Sequence, residues 1–518
     1  MPNTRKIGLI SATFMGISAI IGSGWLFTPL LAATISGPAA IYAWIIGAFI
    51  ILVLGLCFSE LASLYPMRGL SAIITTISHN KFFGFPFAIA NWLGTVAVIA
   101  LEADATVQYL VNIFPSFTDI LFYNNQLTMH GNICSALLVV VFALINYWGV
   151  SILAKTNNVI TVLKLFVPIC TIIILGYTVF HQDNFTAVQG SFMPYGMTSV
   201  IQTILVAGII VSFNGFQSII SFASEIKNPH KTIPLAITIS VLICLIIYIL
   251  VQIVFIGALP PEMLQKGWHE IHMAAPMVQL LSLVGLQFFT TVIYAGSTIT
   301  PTGTAINFTG ASSRILTAMA RKNQVPKWFD KVHPIYKISH RSLFLNTALA
   351  TAFLFTFSSW SNLAQVLGLL HVLSYITVPI AMLVFRKSID KNKYKFRMPF
   401  GVIICYLLFI IFNYLISYAK IGIVTDMSRM IILCQFIFIV MNIKQEKKLI
   451  KQHIFSVALL MLYIISLPML SYLQGSALSQ GRFIFFIVIY SSVILFLLTN
   501  VTSTNSLDLN KNRDIATQ

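Results

Sequence analysis

About fourteen apolar runs follow one another along this chain, and they constrain its fold more than any other feature. They are 7–33, 38–64, 82–114, 131–150, 157–180, 199–223, 232–258, 276–306, 342–358, 362–385, 399–418, 428–443, 453–473 and 483–500. A helix needs about 20 apolar residues to cross the hydrocarbon of a bilayer. Inside lipid every backbone N–H and C=O must be bonded within the span, so runs of this length are expected to be helical. Composition agrees: 58% of residues are hydrophobic and 9% charged, against about 25% charged in a soluble domain. The chain reads as an all-α polytopic membrane protein, compact because the joins are short. The first run has no small-residue cleavage site behind a short apolar core, and is expected to be a retained helix, not a signal peptide.

The net charge of +17 would suggest a nucleic-acid partner in a soluble chain. Its placement says otherwise. With the N-terminus in the cytoplasm and the runs alternating, 26 of the 31 Lys and Arg fall on the cytoplasmic side and four on the outer side, with Lys164 inside a run. That is the positive-inside pattern, and it puts both termini in the cytoplasm. The basic balance reports topology and contact with anionic lipid, and no nucleic acid is expected. Cysteines 57, 134, 170, 244, 405 and 434 all lie in apolar runs without a CxxC pair, so inert buried thiols are expected and no metal site.

Two runs are interrupted. The first carries Gly22-Ser23-Gly24 at its centre, and the sixth carries VSFNGFQ at 211–217. Each glycine costs a helix about 1 kcal/mol relative to alanine, and the freed backbone groups need partners. Five spans separate the two positions, so the second half is inverted relative to the first. Paired interruptions in inverted halves point to a transporter site at mid-membrane, as in the leucine-transporter fold. The alternative for each glycine is close helix packing. Unwinding exposes the N–H groups that begin the second half-helix, at the positive end of its dipole, which suits an anion. The carbonyls ending the first half-helix suit an ammonium. An α-amino acid supplies both charges on neighbouring atoms.

Three stretches, IIGSGWLFTP, FNGFQSIISFASEIKNPHKTIPLAI at 213–237 and TGASSRILTAMARKNQVPKWFDKVHP at 309–334, resemble the amino acid–polyamine–organocation permease superfamily over the first ten to twelve runs. SAIIGSGWLF, EADATVQYL at 102–110 and INYWGVSILAKTNNVITVLKL at 145–165 look most like bacterial permeases labelled aspartate–proton symporters. The resemblance implies a 5+5 inverted repeat with discontinuous helices 1 and 6. The transport core would be 1–390, with repeats 7–180 and 199–386, followed by four additional spans in 391–500 and a disordered cytoplasmic tail in 501–518.

It also implies a site. Ser23 and Gly24, with Gly22 beside them, would bind a substrate carboxylate through backbone N–H groups. The carbonyls of Ile20, Val211 and Asn214 would receive the amine, with Gly215 at the same unwound turn. Phe213 and Phe216 would flank the site as a gate. Where the superfamily often has glutamate after its Gly-Phe, this chain has Gln217, which leaves a contact to the substrate side chain.

Ionisable residues at mid-depth are functional candidates by default. Lys164 matches a lysine that, in proton-coupled relatives, occupies the place where sodium-coupled cousins hold a cation; the alternative is a lysine snorkelling to the inner face. Glu102 and Asp104 lie about 200° apart on one helix, so at most one is expected to see the cavity. Glu60 and Glu225 sit at cytoplasmic helix ends. His371 is expected to be a satisfied core histidine. The hydroxyl-rich STITPTGT at 297–304 would line the cavity or bond neighbouring helices. Residues 311–330 read as an amphipathic surface helix ended by Pro326.

No phosphate-binding loop, HExxH or GxSxG occurs, so neither an ATP-driven pump nor an enzyme is expected, and no cofactor. The expectation is a secondary transporter of the bacterial cytoplasmic membrane, importing an amino acid by alternating access with H+ as coupling ion. An exchanger without proton coupling is the alternative. A non-transporting receptor or a channel fits less well.

Overall fold

The computed structural model describes residues 7–501 except 68, 114, 124–125, 149, 284–286, 337, 358 and 477–478. The tail expected to be disordered lies outside the described residues from 502 onward.

Among the described residues each apolar run is mainly helical. The second is Ala40–Leu64, the third Lys81–Ile113, the fourth Met129–Tyr147, the fifth Val150–Thr178 and the seventh Pro229–Ala258. The ninth is His340–Thr356, the tenth Trp360–Tyr375 continued by Thr377–Ser388, the eleventh Gly401–Ser417 and the last Gln480–Asn500. Among the described residues eight helices have the length and hydropathy of a membrane span, and a bent pair adds a ninth if read as one. The six cysteines are free thiols.

Both expected interruptions are present. The first run is Leu9–Ile20 and Gly24–Ser36 with 21–23 unwound between them. In the sixth, Gly196–Val206 and Ile209–Ser221 meet at 47°. That bend begins earlier than the Asn-Gly motif suggests, at Gly208 with φ +84°, a left-handed conformation that suits glycine. The helix then loosens into a 3-10 turn at Asn214–Phe216.

One expectation is corrected. Residues 311–330 do not form a separate surface helix, because Gln287–Arg321 is one continuous helix. Ser312, Ser313, Leu316 and Met319 on it are buried. The stretch looks amphipathic because of its hydroxyls, yet these bond within the protein: Ser312 Oγ to Thr309 O at 3.0 Å and Thr317 Oγ1 to Ser313 O at 2.8 Å in their own helix, and Ser313 Oγ to Ser339 O at 3.3 Å. Their polarity is thereby satisfied without water. The twelfth and thirteenth runs are two helices within Ile421–Gln474 that meet at a kink at Glu446, whose φ of −132° is not helical. Glu446 pairs there with Lys81, the first residue of the third-run helix.

The helices sort into two groups by packing. The third lies along the eighth and tenth, and the fourth along the ninth. The helix Leu9–Ile20 of the first run and the helix of the second lie on the seventh. Small residues set the close contacts in this second group: Gly55 faces Ile237, and Gly47 faces Ile209. At the basic-rich end, Ile7 N–H donates to Glu225 O (3.1 Å) and Lys227 N–H to Ile7 O (2.8 Å). This tie fastens the start of the first run to the chain just after the sixth. At the same end, Glu60 on the second run pairs with Arg386 on the tenth.

Candidate functional site

The two interruptions meet. Gly215 lies against the backbone of Ala19 and Ile20, where a Cβ would have no room. Gly24 similarly faces Ser212. Gly215 is needed for the backbone-to-backbone approach across the breaks, and Gly24 leaves room for the Ser212 side chain.

The groups freed by the first break have specific partners. Ser23 N–H donates to Glu102 Oε2 at 2.9 Å and Oε1 at 3.2 Å. Trp360 Nε1–H donates to Ser23 Oγ at 2.9 Å. The Ile20 carbonyl accepts from the Tyr248 hydroxyl at 3.0 Å, and the same hydroxyl donates to Ser212 O at 3.1 Å. The Ile21 carbonyl accepts from Thr304 Oγ1 at 3.2 Å. Of the other carbonyls expected to meet an amine, Val211 O accepts from Phe213 N–H and Asn214 O from Gln217 N–H. A carbonyl has two lone pairs, so each retains capacity for a further donor.

Lys164 is fully buried. Its ammonium donates to Ser18 O at 2.8 Å and Thr304 Oγ1 at 2.5 Å. It therefore grips the first run just before the break and does not snorkel. Lys164 and Glu102 also interact with each other electrostatically. Asp104 is also buried, but lies outside the cavity lining, and its Oδ2 has no partner among the described residues. The two carboxylates part as their helical spacing requires.

Asn214 is held from the tenth run. Tyr375 OH donates to Asn214 Oδ1 at 2.7 Å, and Asn214 Nδ2 lies 2.8 Å from His371 Nε2. His371 Nδ1 lies 3.0 Å from Leu367 O, which assigns the ring proton to Nδ1 and leaves Nε2 to accept. His371 is thus a satisfied histidine that also positions the unwound segment. Phe213 and Phe216 are fully buried but do not line the cavity. Phe213 packs on Trp44 and Tyr248, and Phe216 on Phe58 and Tyr375. Gln217 is buried outside the lining as well.

Between the breaks lies a cavity of about 20 Å³ lined by Ile20, Gly22, Ser23, Gly24, Val211, Asn214 and Gly215, with Glu102, Thr304, Phe308 and Trp360 around them. That is room for about one water, so an amino acid requires the walls to part. Trp360 closes one side, stacked on Phe27 at 4.9 Å, and Phe27 meets Tyr109 edge-on at 5.3 Å. Sequence reading missed Trp360, Tyr248, Ser212 and Ser18. Tyr248, a polar-tipped residue in the otherwise apolar IIYIL, was the one detectable signal.

The profile of the family described as Amino acid permease matches residues 7–441. The chain is 38% identical over 394 residues to the glutamate/serine transporter AimA of Bacillus subtilis (strain 168), covering 76% of this chain and 73% of that protein. It is 32% identical over 385 residues to the aspartate-proton symporter of the same organism, covering 74% of this chain and 73% of that protein. A methylthioribose transporter from that organism is 28% identical over 409 residues, 76% of this chain and 84% of that protein. The chain belongs to the amino acid permease family, a family of multi-pass membrane proteins within the amino acid–polyamine–organocation superfamily.

Proposed function

We propose that this protein imports an amino acid together with a proton across the bacterial cytoplasmic membrane, by alternating access and without catalysis or a cofactor. The observation that carries the reading is the buried pair at the first break, Glu102 on Ser23 N–H and Lys164 on Ser18 O and Thr304. A carboxylate at the N–H end of the unwound turn and an amine at its carbonyl end are the two groups a dipolar solute would bring. In this reading Ser23 and Gly24 receive the carboxylate, Ile20, Val211 and Asn214 the amine, and Lys164 fills the place of a coupling cation. The architecture is a 5+5 inverted repeat, 7–180 and 199–386, inside about fourteen crossings with both termini cytoplasmic. Residues 391–500 form the added spans. The group of first, second, sixth and seventh helices rocks against the third, fourth, eighth and ninth, a division the packing supports.

One relative is named for glutamate and serine and another for aspartate. No lysine or arginine lines the cavity among the described residues, and the Lys164 ammonium is committed to Ser18 and Thr304. An acidic side chain would find no fixed cation among the described residues of the lining. We therefore favour a small neutral amino acid such as serine over glutamate or aspartate.

The test is flux into liposomes under an imposed pH gradient, with serine, glutamate and aspartate in parallel. Saturable accumulation driven by the gradient supports symport. Uptake that needs preloaded substrate and ignores pH would establish an exchanger, and non-saturating flux a channel. Glutamate accumulating faster than serine would overturn the substrate preference.

A further inference from the structure

An anion site at a helix N-terminus is normally left to its ligand. Here it is filled by the protein. Glu102 reaches from the third run, 79 residues further along the chain, and accepts Ser23 N–H with both carboxylate oxygens. The carboxylate is 4% exposed. Its Oε1 lies so close to Gly22 that any side chain there would collide with it. A planar two-oxygen acid at the start of Gly24–Ser36 is the same chemical group, in the same place, that an α-carboxylate would take. The opposite end is matched too: the Tyr248 hydroxyl donates to Ile20 O and Ser212 O as an ammonium would.

We propose that Glu102 is a built-in stand-in for the cargo's carboxylate, which holds the anion site closed and must be displaced, taking up one proton, before an α-amino acid can bind. The proposal rests on reading this cavity as the amino-acid site. One N–H cannot serve two carboxylates, and about 20 Å³ cannot hold both.

The groups around Glu102 explain why a proton is involved. Facing it are Ser23 N–H from the first run, Lys164 from the fifth, the Tyr248 hydroxyl from the seventh and Thr304 from the eighth. Trp360 from the tenth run shares the cavity wall. Lys164 is the one cation among these groups. Two ionised carboxylates in that space would repel each other at low dielectric. A proton from the outer aqueous side, placed on a Glu102 carboxyl oxygen, removes the repulsion. No covalent bond in the cargo changes. When the cargo leaves inward, Glu102 releases the proton to that side and takes back Ser23 N–H. Coupling then follows from competition for a single donor, and the cargo must carry a carboxylate.

The test uses the full-length protein in lipid nanodiscs, with binding of L-serine and of its decarboxylated analogue ethanolamine measured by calorimetry across pH. For the wild type, serine affinity is expected to fall as pH rises, by up to about tenfold per unit, and ethanolamine is expected to bind at least tenfold more weakly than serine. Glu102→Gln is expected to bind serine with no pH dependence and to lose gradient-driven accumulation in liposomes. Serine binding by Glu102→Gln with the wild-type pH profile overturns the proposal alone. So does equal wild-type affinity for serine and ethanolamine, an outcome that decides the matter even if the variant fails to fold. Wild-type protein that binds none of the twenty amino acids overturns the reading of the site and this proposal with it.

Discussion

The Tyr248 hydroxyl donates at once to Ile20 O and Ser212 O, at 3.0 and 3.1 Å, and so joins the first interrupted helix to the sixth. Ile20 O also accepts from Gly22 N–H at 3.0 Å, and lipid offers nothing in place of the hydroxyl. Tyr248→Phe keeps the ring, its edge contact with Phe213 at 5.2 Å and the volume, but takes the hydroxyl away from both carbonyls. Leaving a buried polar group unmade costs about 1–3 kcal/mol. Thermal unfolding in detergent should show the loss, and serine uptake should fall with it. A variant with wild-type melting would mean that the bridge contributes nothing.

Lys164→Met removes the two bonds to Ser18 O and Thr304 Oγ1 while filling similar space. The helix Leu9–Ile20 then loses its attachment through Ser18 O to the fifth run, and Glu102 loses its electrostatic partner. Accumulation driven by a pH gradient is expected to vanish. Liposome assays in which the variant still concentrates substrate under that gradient would remove Lys164 from the coupling machinery.

At the basic-rich end, Arg386 grips Glu60 through two bonds, Nε to Oε1 at 2.8 Å and Nη2 to Oε2 at 2.6 Å. Met398 N–H adds a third bond to Glu60 at 2.7 Å. Glu60 is fully buried. Removing one partner of such a pair costs about 3–5 kcal/mol, because the other charge is left uncompensated. Glu60→Ala should therefore reduce folded yield sharply. Glu60→Met combined with Arg386→Met should recover part of it. Additive losses in the double variant, read from melting curves, would contradict a direct pair.

Gly215→Ala places a methyl group into the Ala19 and Ile20 backbone, which has no side chain to move aside. Either the two breaks separate or the protein fails to fold, so transport should be lost. Gly422→Ala, where a Cβ meets nothing within 4 Å, is the control and should raise stability by up to about 1 kcal/mol. Equal tolerance of the two substitutions in uptake assays would refute the close approach.

The sequence located both interruptions because Gly-Ser-Gly and Asn-Gly are unusual inside long apolar runs, and the cost of unwound backbone in lipid gives that oddity a meaning. It missed how far the sixth run is disrupted, since one left-handed glycine, Gly208, looks like any other in LVAGII. It also misread 311–330, because hydroxyls bonded within the protein look the same in sequence as hydroxyls facing water. His371 read correctly as satisfied, but its partner Asn214 lies 157 residues away, beyond any local pattern.

Sequence alone determined that the chain is helical and membrane-embedded, where its helices break, and which buried charges needed an explanation, because periodicity, length and the cost of charge in lipid act locally along the chain. Tertiary structure alone decided which groups meet at the breaks. That Glu102 and not Asp104 reaches Ser23, that Lys164 holds Ser18, that Tyr248 bridges two carbonyls and that Trp360 covers the cavity all depend on how separate helices are rotated and packed. Those rotations come from side-chain fit among many helices at once, which no single stretch of sequence encodes.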